Sequence, residues 1–255
     1  MIGTSKLFNL KGKTAIVTGA SSGIGKEITF GLAEAGCEVM LVARDKQKLI
    51  QTTNQIPYNR TSYFCADVSE SKDVQLMTEN AIVQFGKIDV LVNCVGTTFR
   101  APFEDVPDEQ FDHVFQTNAR SCFLTTKYVG REMLKSGKGH IINIGSVAGS
   151  IVVCGSSAYC ASKAAMIMIT KSAAVEWASR GIRVNIIMPG AFNTPLLQYC
   201  IDNDPEYEKR TISQHPIGRF GNPTEIVGLV IYLACDNSDF MTGSVLYLDG
   251  GRSSV

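Results

Sequence analysis

The stretch between residues 13 and 35 constrains the fold of this chain most strongly. Residues 13–18 form an apolar run of strand length, and residues 24–35 carry apolar side chains at helical spacing until Gly36. Between them lies the loop Thr18-Gly-Ala-Ser-Ser-Gly-Ile-Gly25, whose glycines are spaced G-x-x-x-G-x-G. Glycine lets the backbone approach a ligand closely, and a helix N-terminus offers free N–H groups to an anion. This order of elements predicts a phosphate-binding loop, with a purely structural turn as the alternative.

The same alternation of strands and helices continues along the chain. Further strand-length runs occupy residues 38–43, 61–66, 88–93, 139–146, 183–188 and 244–248, and helical patterns occupy residues 71–85, 108–135, 157–180 and 223–234. Strands that alternate with helices predict an α/β fold, here a single-domain Rossmann-type doubly wound parallel seven-stranded sheet with helices on both faces. A chain of 255 residues is long enough to bury its core as one domain, so residues 1–255 are expected to form one unit.

Residues 193–213 differ from the rest of the chain. They are polar, contain Pro195 and Pro205, and have no clear hydrophobic period. Binding sites are often closed by loops of this kind, which a rigid scaffold holds at its edge. The segment is therefore predicted to be a lid over the substrate.

Charge and hydropathy exclude several classes of partner. The chain has 24 basic and 24 acidic residues, so no net field attracts nucleic acid or an anionic membrane. Residues 1–10 contain one lysine and no long apolar run, which argues against a signal peptide. The longest uncharged run, residues 141–162, is interrupted by Gly, Ser and Asn and does not resemble a membrane span. These features predict a soluble cytoplasmic protein without nucleic-acid or membrane partners.

Cysteines and histidines give no sign of a disulfide framework or a metal site. The eight cysteines are scattered without a C-x-x-C pair, and the three histidines are far apart in the sequence. They are Cys37, Cys65, Cys94, Cys122, Cys154, Cys160, Cys200 and Cys235, and His113, His140 and His215. The cysteines are interpreted as small apolar residues, and no metal is predicted.

Tyr159 and Lys163 are four residues apart in a predicted helix and therefore share one face. An ammonium group near a phenol favours the phenolate and lowers the tyrosine pKa from about 10 toward working pH. A solvated surface pair is the alternative interpretation. Upstream, the predicted strand 139–146 delivers Ser146 at its carboxyl end, where ligands of open parallel sheets bind. Asn118 lies within the long predicted helix that precedes this strand.

These motifs together resemble the short-chain dehydrogenase/reductase family. The family's tetrad of Asn, Ser, Tyr and Lys matches Asn118, Ser146, Tyr159 and Lys163, its T-G-x-x-x-G-x-G loop matches residues 18–25, and the resemblance covers nearly the whole chain. It implies reversible hydride transfer between a nicotinamide cofactor and a carbonyl or secondary alcohol. In that reaction Tyr159 protonates the carbonyl oxygen, Ser146 hydrogen-bonds to it, and Lys163 binds the nicotinamide ribose. Asn118 would kink its helix and complete a proton relay.

The resemblance also implies a set of cofactor contacts. Asp67 and Val68 match the adenine-contacting pair, although Asp67 is equally explained as a helix cap. Thr194 matches the threonine that holds the nicotinamide carboxamide. The family's usual Asn-Asn-Ala-Gly is here Asn93-Cys94-Val95-Gly96, a departure expected to change packing and to leave the chemistry intact. The full predicted set is Gly19, Ser21, Ser22, Gly23, Ile24, Gly25, Arg44, Asp67, Val68, Asn93, Gly96, Tyr159, Lys163, Pro189, Gly190, Phe192 and Thr194.

The end of the second strand bears on the choice of dinucleotide. An acidic residue there holds the ribose 2′-hydroxyl of NAD, whereas an arginine accommodates the 2′-phosphate of NADP. The acidic position of the family is Ala43 in this chain, and Arg44 follows it. NADP(H) is therefore favoured, and Ser21 and Ser22 are candidates for extra phosphate contacts. Asp45 would favour NAD(H) instead if it paired with Arg44 at the start of a helix.

Fold and tetrad do not specify the substrate. The chain is similar to 3-oxoacyl carrier-protein reductases and to gluconate 5-dehydrogenases, so a 3-oxoacyl thioester or small ketone is expected, with a sugar acid or polyol as the alternative. Residues 99–103 with Leu196, Leu197 and Tyr199 are predicted to line the pocket. Arg100 is a candidate for a substrate carboxylate, or else a solvated loop residue. A non-catalytic dinucleotide-binding sensor is the alternative of a different class, and the intact tetrad argues against it.

The resemblance implies a homotetramer, with a dimer as the alternative. Helices 108–135 and 157–180 usually pack against twofold mates in the family, and the C-terminal helix and strand form a second interface. The second of these helices carries Ala164, Ala165, Met168, Ala173, Ala174 and Trp177. This is more apolar surface than one face against a sheet requires. Coverage of the second face by the chain's own loops is the competing explanation.

Overall fold

The computed structural model describes residues 8–57 and 61–255. Residues 1–7, on which most of the signal-peptide argument rests, lie outside the described residues. Within the described ranges, one sheet contains seven strands: β1 (Thr14–Thr18), β2 (Glu38–Ala43), β3 (Thr61–Cys65), β4 (Val90–Asn93), β5 (Gly139–Ile144), β6 (Ile182–Pro189) and β7 (Val245–Leu248). All neighbouring pairs are parallel, in the order β3-β2-β1-β4-β5-β6-β7. The predicted doubly wound sheet is confirmed.

Helices cover both faces of this sheet. The α-helices of the described residues are α1 (Gly23–Glu34), α2 (Lys46–Asn54), α3 (Ser71–Phe85), α4 (Asp108–Phe115), α5 (Ser121–Ser136), α6 (Ser157–Trp177), α7 (Pro195–Asp202), α8 (Tyr207–Ser213) and α9 (Val227–Ala234). Successive strand residues point to opposite faces. In β1, Ala15 and Val17 point into a core with α1, α2 and α9, whereas Ile16 points into the core under α3, α5 and α6. In the described part of the chain, no helix is both long enough and apolar enough to cross a membrane.

The long helix predicted over residues 108–135 is interrupted. A π-helical turn, Gln116–Arg120, joins α4 to α5 and contains Asn118. Such one-turn π segments insert an extra residue into a helix and often occur at functional sites. The apolar period continues through the turn, so the sequence pattern alone predicts one unbroken helix.

The lid segment is more ordered than its sequence pattern suggests, since it contains α7 and α8. The Thr194 hydroxyl accepts a hydrogen bond from the Leu197 N–H at 3.2 Å and caps α7, and Pro195 occupies its first turn. Pro205 falls between the two helices. Helix α7 also buries Leu197 and Cys200, whereas α8 has no side-chain cap and buries Thr211.

The crevice expected of a doubly wound sheet opens where the direction of winding reverses. β1 is hydrogen-bonded to β2 on one side and to β4 on the other. Helix α1 leaves β1 on one face of the sheet, and α5 follows β4 on the opposite face. The carboxyl ends of the two strands, Thr18 and Asn93, are paired in register. Ligands of open α/β sheets bind at such a point.

At the amino-terminal ends of the strands, on the side of the sheet away from this crevice, His140 lies at the beginning of β5. Its side chain is 2% exposed, and among the described residues its Nδ1 has no hydrogen-bond partner. Its Nε2 lies 3.6 Å from an Asp239 oxygen and 3.8 Å from an Asp236 oxygen. These groups do not form a free metal site, since Lys13 and Lys138 hold the two oxygens of Asp236 at 2.6 and 2.7 Å. Burial lowers the pKa of His140 from 6.5 to about 4, helped by Lys13 and opposed by Asp239.

Acid should destabilise the protein through His140. In the unfolded chain, His140 binds a proton below its ordinary pKa of 6.5, whereas in the folded protein it stays neutral down to about pH 4. Protonation therefore favours the unfolded chain, and the free energy of unfolding that is present above pH 6.5 decreases as the pH falls. Between about pH 7 and about pH 4.5, this loss amounts to about 2 to 3 kcal/mol. In urea unfolding, His140→Leu should lose that much less on acidification than the wild type. The matched variant His113→Leu, at an exposed position, should lose as much as the wild type; equal losses in all three proteins would contradict the prediction.

Candidate active site

The end of β5 and the first turns of α6 bring three of the predicted tetrad residues together. Ser146 follows β5 by two positions, and its Oγ accepts a hydrogen bond from the Ala148 N–H at 3.2 Å. In α6, the Lys163 Nζ lies over the Tyr159 ring, 5.7 Å from its centroid. The same Nζ donates a hydrogen bond to the Ile144 carbonyl at 3.1 Å, which ties α6 to the end of β5.

Asn118, in the π-helical turn, links that turn to residue 97 and to helix α6 through its side chain. Its side chain is fully buried, its Oδ1 accepts from the Thr97 N–H at 2.8 Å, and its Nδ2 donates to the Thr97 carbonyl at 2.9 Å. The same Nδ2 donates to the Ser162 hydroxyl at 2.9 Å, which links it to α6. A Cβ on Gly96 would lie 3.4 Å from the Lys163 Nζ and 3.5 Å from the Asn118 Oδ1. The lysine and the asparagine thus share the small space that a glycine leaves open.

The electrostatics of the pair differ from the sequence-based expectation. Burial raises the pKa of Tyr159 to about 12, and the hydrogen bond with Ser146 only partly offsets it. Burial lowers the pKa of Lys163 to about 8. The expectation that Lys163 depresses the Tyr159 pKa is wrong for this structure, because desolvation of the phenolate dominates and the ammonium lies over the ring face. Tyr159 therefore keeps its proton at neutral pH, as a proton donor must.

The glycine loop has the geometry that a pyrophosphate requires. Gly19 and Gly23 have φ values of +69° and +53°, where side chains are strained. A Cβ on Gly25 would lie 2.3 Å from the Gly19 carbonyl oxygen. Ser22, the N-cap residue of α1, makes no side-chain capping bond to the first N–H groups of the helix, and Gly23, Ile24 and Gly25 of that first turn line the cavity. This cradle fits the phosphates of a dinucleotide, and its glycines are required by packing as well.

One cavity of about 680 Å³ runs from the glycine loop to the lid. Of the predicted cofactor contacts, every residue except Asn93 lines it. The Asn93 side chain is buried in the core, where its Nδ2 donates to the Asn143 Oδ1 at 2.9 Å and its Oδ1 accepts from the Thr125 hydroxyl at 2.7 Å. The Asn143 Nδ2 continues this chain of bonds to Thr170 in α6 at 2.8 Å. Asn93 is therefore corrected from a cofactor contact to a residue that supports the floor of the site.

At one end of the cavity, Arg44 is largely exposed and makes a long ion pair with Asp67. Its guanidinium lies 3.8 Å from an Asp67 carboxylate oxygen, and its side chain is 69% exposed. The alternative pairing with Asp45 is absent, because Asp45 caps α2 by accepting a hydrogen bond from the Lys48 N–H at 3.0 Å. Asp67 does not cap α3, whose N-cap residue is Glu70; it accepts instead from the N–H and hydroxyl of Ser69. Partial burial opposes these bonds, yet together with Arg44 they lower the pKa of Asp67.

At the other end, residues of α7 and α8 line the same cavity as Ser146, Tyr159 and Lys163. Leu196 and Leu197 line the cavity as predicted, whereas Tyr199 lines an adjoining recess with residues 99–102 and Phe103 is 81% exposed. The Arg100 guanidinium lies 4.8 Å from the centroid of the Tyr207 ring and donates to the Cys154 carbonyl at 3.3 Å.

Several residues that line the cavity were not predicted: Cys200, Tyr207, Arg210, Gln214, His215 and Arg252. Two of them could have been found from the sequence: Tyr207 is an aromatic residue within the predicted lid segment, and His215 is a histidine just after it. No sequence motif around Arg252 indicates a role in the site, because this residue follows β7, the strand at one end of the sheet, and reaches the cavity only in the folded protein.

Comparison with known proteins agrees with this geometry. The family described as Enoyl-(Acyl carrier protein) reductase matches residues 19–253. The chain is 37% identical to the 2-dehydro-3-deoxy-D-gluconate 5-dehydrogenase of Bacillus subtilis, over 96% of each chain. It is 35% identical to the 3-oxoacyl-(acyl-carrier-protein) reductase of Thermotoga maritima, over 95% of this chain and 98% of that protein.

A solved structure extends the likeness to three dimensions. The gluconate 5-dehydrogenase of Burkholderia cenocepacia, crystallised with NADP and tartrate, superposes with a TM-score of 0.93 at 32% identity, covering 99% of this chain and all of that one. The fold, the glycine loop and the assembled tetrad thus occur together with relatives that match along nearly the full length. The chain belongs to the short-chain dehydrogenase/reductase family, and it is an oxidoreductase of that family.

Proposed function

We propose that the protein uses NADP(H) to interconvert a carbonyl compound and its secondary alcohol, with a 3-oxoacyl thioester or a small ketone as substrate. The observation that carries this proposal is the half-buried, protonated Tyr159 beside Ser146, in one cavity with the glycine cradle. A non-catalytic dinucleotide sensor would not need an acid held in this position.

The residues of the site divide the work as follows. The bound nicotinamide cofactor supplies or accepts hydride at the substrate carbon. Tyr159 donates its phenolic proton to the carbonyl oxygen in the reducing direction and takes it back in the oxidising one. The Ser146 hydroxyl donates a hydrogen bond to the same oxygen and stabilises the charge that develops on it. Lys163 would hold the nicotinamide ribose, and Asn118 would connect Lys163 to a proton path.

The preference for NADP(H) over NAD(H) rests on Arg44. Among the described residues, the only carboxylate within ion-pair distance of its guanidinium is Asp67, at a loose 3.8 Å. Ala43 offers no acceptor for a ribose 2′-hydroxyl. A 2′-phosphate would gain charge-assisted hydrogen bonds there. The NADP in the Burkholderia structure is consistent with this choice.

A sugar acid is the second candidate substrate, and Arg100 favours it. The Arg100 side chain is half-buried at the substrate end of the cavity, where its guanidinium lies over the Tyr207 ring and donates to the Cys154 carbonyl. The acidic residues that line the main cavity, Asp45 and Asp67, are at the adenosine end. Asp204 lies near Arg100 in the adjoining recess but is already paired with Arg210, so a substrate carboxylate would still meet a cation at that end.

A substrate panel tests both candidates. NADPH and NADH absorbance would be followed with 3-oxoacyl thioesters, neutral ketones and keto acids of sugars, for the wild type and Arg100→Met. If a carboxylate binds Arg100, the variant should raise KM for keto acids by about 10- to 100-fold and leave KM for neutral ketones unchanged. The matched variant Arg180→Met, at an exposed position, should change neither. Turnover of thioesters alone, unaffected by Arg100→Met, would reject the sugar-acid candidate; no turnover with any member would count against the whole proposal.

We further propose a cytoplasmic homotetramer. In α6, Ala173 and Ala174 pack into the chain's own core, but Met168 is 59% exposed, and Phe123 on the neighbouring α5 is 50% exposed. Within residues 8–57 and 61–255, no loop therefore covers the second apolar face of α6. At the far edge of the sheet, Phe240 near β7 is fully exposed. Two separate self-complementary patches generate a tetramer with D₂ symmetry.

Light scattering after size exclusion at micromolar concentration measures the assembly. The expected mass is four times the 27.6 kDa of one chain. Met168→Asp should reduce the assembly to dimers, because it buries a charge in one of the two interfaces. The exposed Val83→Asp, on α3, is the matched control and should leave the tetramer intact. A monomeric wild type would sink the idea.

A further inference from the structure

His215 is buried beside the cavity and has no part in the proposed chemistry. It follows α8 at the end of the lid, and its side chain is 6% exposed. Its Nδ1 lies 2.8 Å from the Thr211 carbonyl, and its Nε2 lies 3.1 Å from the Ala191 backbone nitrogen. A backbone N–H can only donate, so Nε2 must be the acceptor and the proton must be on Nδ1. Both ring nitrogens of the neutral imidazole are thereby used.

The partner of Nε2 belongs to a segment that matters for cofactor binding. Ala191 lies between Gly190 and Phe192, which line the cavity just after β6 ends at Pro189. On its other side the segment is tied to Gly221, whose N–H donates to the Ala191 carbonyl at 2.9 Å and whose carbonyl accepts from the Asn193 N–H at 2.9 Å. The segment is thus held on one side by the backbone hydrogen bonds to Gly221 and on the other by the His215 imidazole, which binds the Ala191 N–H.

The His215 ring packs closely against this segment, with no room for a side chain at position 190. A Cβ on Gly190 would lie 2.8 Å from the His215 Nε2 and 2.9 Å from the Asp249 Cα. Any side chain at position 190 would therefore push the ring away from Ala191. The ring in turn is fixed to the lid through Thr211. The His215 side chain thus connects the end of α8 to the segment that follows β6.

We propose that His215 is a positioning residue for the cofactor, whose imidazole holds Ala191, and with it residues 189–194, in the conformation that receives the nicotinamide end. This inference rests on the proposed use of a nicotinamide cofactor. His215 touches no reacting atom, and its contribution is to binding. Loss of the Nε2 acceptor leaves a buried N–H unpaired and lets the segment relax.

Three substitutions separate the two bonds of the ring. The amide oxygen of Gln reaches about as far as Nε2, so His215→Gln should keep the acceptor for Ala191. His215→Asn should keep only the bond to Thr211, and His215→Leu removes both. Titration of NADPH fluorescence should give dissociation constants about tenfold weaker for Asn and Leu, and within about threefold of the wild type for Gln. Hydrogen exchange at the Ala191 amide, without cofactor, should follow the same order.

The Asn and Gln variants carry the test even if the Leu variant fails to fold, because both are polar and similar in size. Equal dissociation constants for these two, or an Asn variant indistinguishable from the wild type, would overturn the inference while wild-type binding left the proposed function standing. A wild type that binds neither NADPH nor NADH would overturn the proposed function and this inference together.

Discussion

Tyr159→Phe should lower kcat by about 10²- to 10⁴-fold while the dissociation constant for NADPH stays within about threefold of the wild-type value. The range is the usual contribution of a positioned general acid. The phenylalanine ring keeps the packing in α6 and the contact with the Lys163 ammonium, so the substitution removes only the hydroxyl. Because burial holds the Tyr159 pKa near 12, the lost group is a protonated phenol throughout the neutral range.

Two measurements decide this case. Single-turnover absorbance with saturating NADPH gives the chemical step, and NADPH fluorescence gives binding in the absence of substrate. Tyr63→Phe, on β3 and 39% exposed, is the matched control and should match the wild type in both. A Tyr159→Phe enzyme that retains more than about a hundredth of the rate would show that another group supplies the proton.

Arg44→Asp should reverse the preference between the two cofactors, lowering the ratio of kcat/KM for NADPH to kcat/KM for NADH by about 100-fold or more. The substitution removes the cation expected to meet the 2′-phosphate, worth roughly 10- to 100-fold for a hydrogen-bonded charge. It also puts a carboxylate beside Asp67, which repels the phosphate and offers an acceptor to the ribose 2′-hydroxyl of NADH.

The control for charge alone is Arg180→Asp, which makes the same change at an exposed site that does not line the cavity. It should leave the ratio unchanged. An unchanged ratio in Arg44→Asp would mean that the guanidinium does not meet the adenosine phosphate.

Elements with a strong local signal were predictable to the residue. The bounds predicted for β2 and for α3 are those observed, because an apolar run defines the first and Gly86, with a φ of +77°, ends the second. The π-helical turn was not predictable from local pattern. It depends on bonds from Asn118 to Thr97 and Ser162, which are 21 and 44 residues away in the sequence.

The site divides in the same way. Motif spacing was enough to bring Ser146, Tyr159 and Lys163 to one cavity. It was not enough to give the direction of the Tyr159 pKa shift, since desolvation depends on everything that surrounds the phenol. For the same reason Asn93, in a motif that suggests the cofactor, proved to point into the core.

The buried bonds that run from Thr125 through Asn93 and Asn143 to Thr170 have a consequence for how the sheet chooses its alignment. The remaining positions of β4 and β5 are mostly Val, Leu and Ile, so hydrophobic contact alone would change little if one strand shifted along the other. A slip of β5 by one residue would turn Asn143 to the opposite face from Asn93 and leave several buried polar groups unpaired, at about 1–3 kcal/mol each. These side-chain hydrogen bonds therefore fix the register of β5 against β4. They thereby also fix the position of Ser146, which follows β5 by two residues at the substrate end of the site.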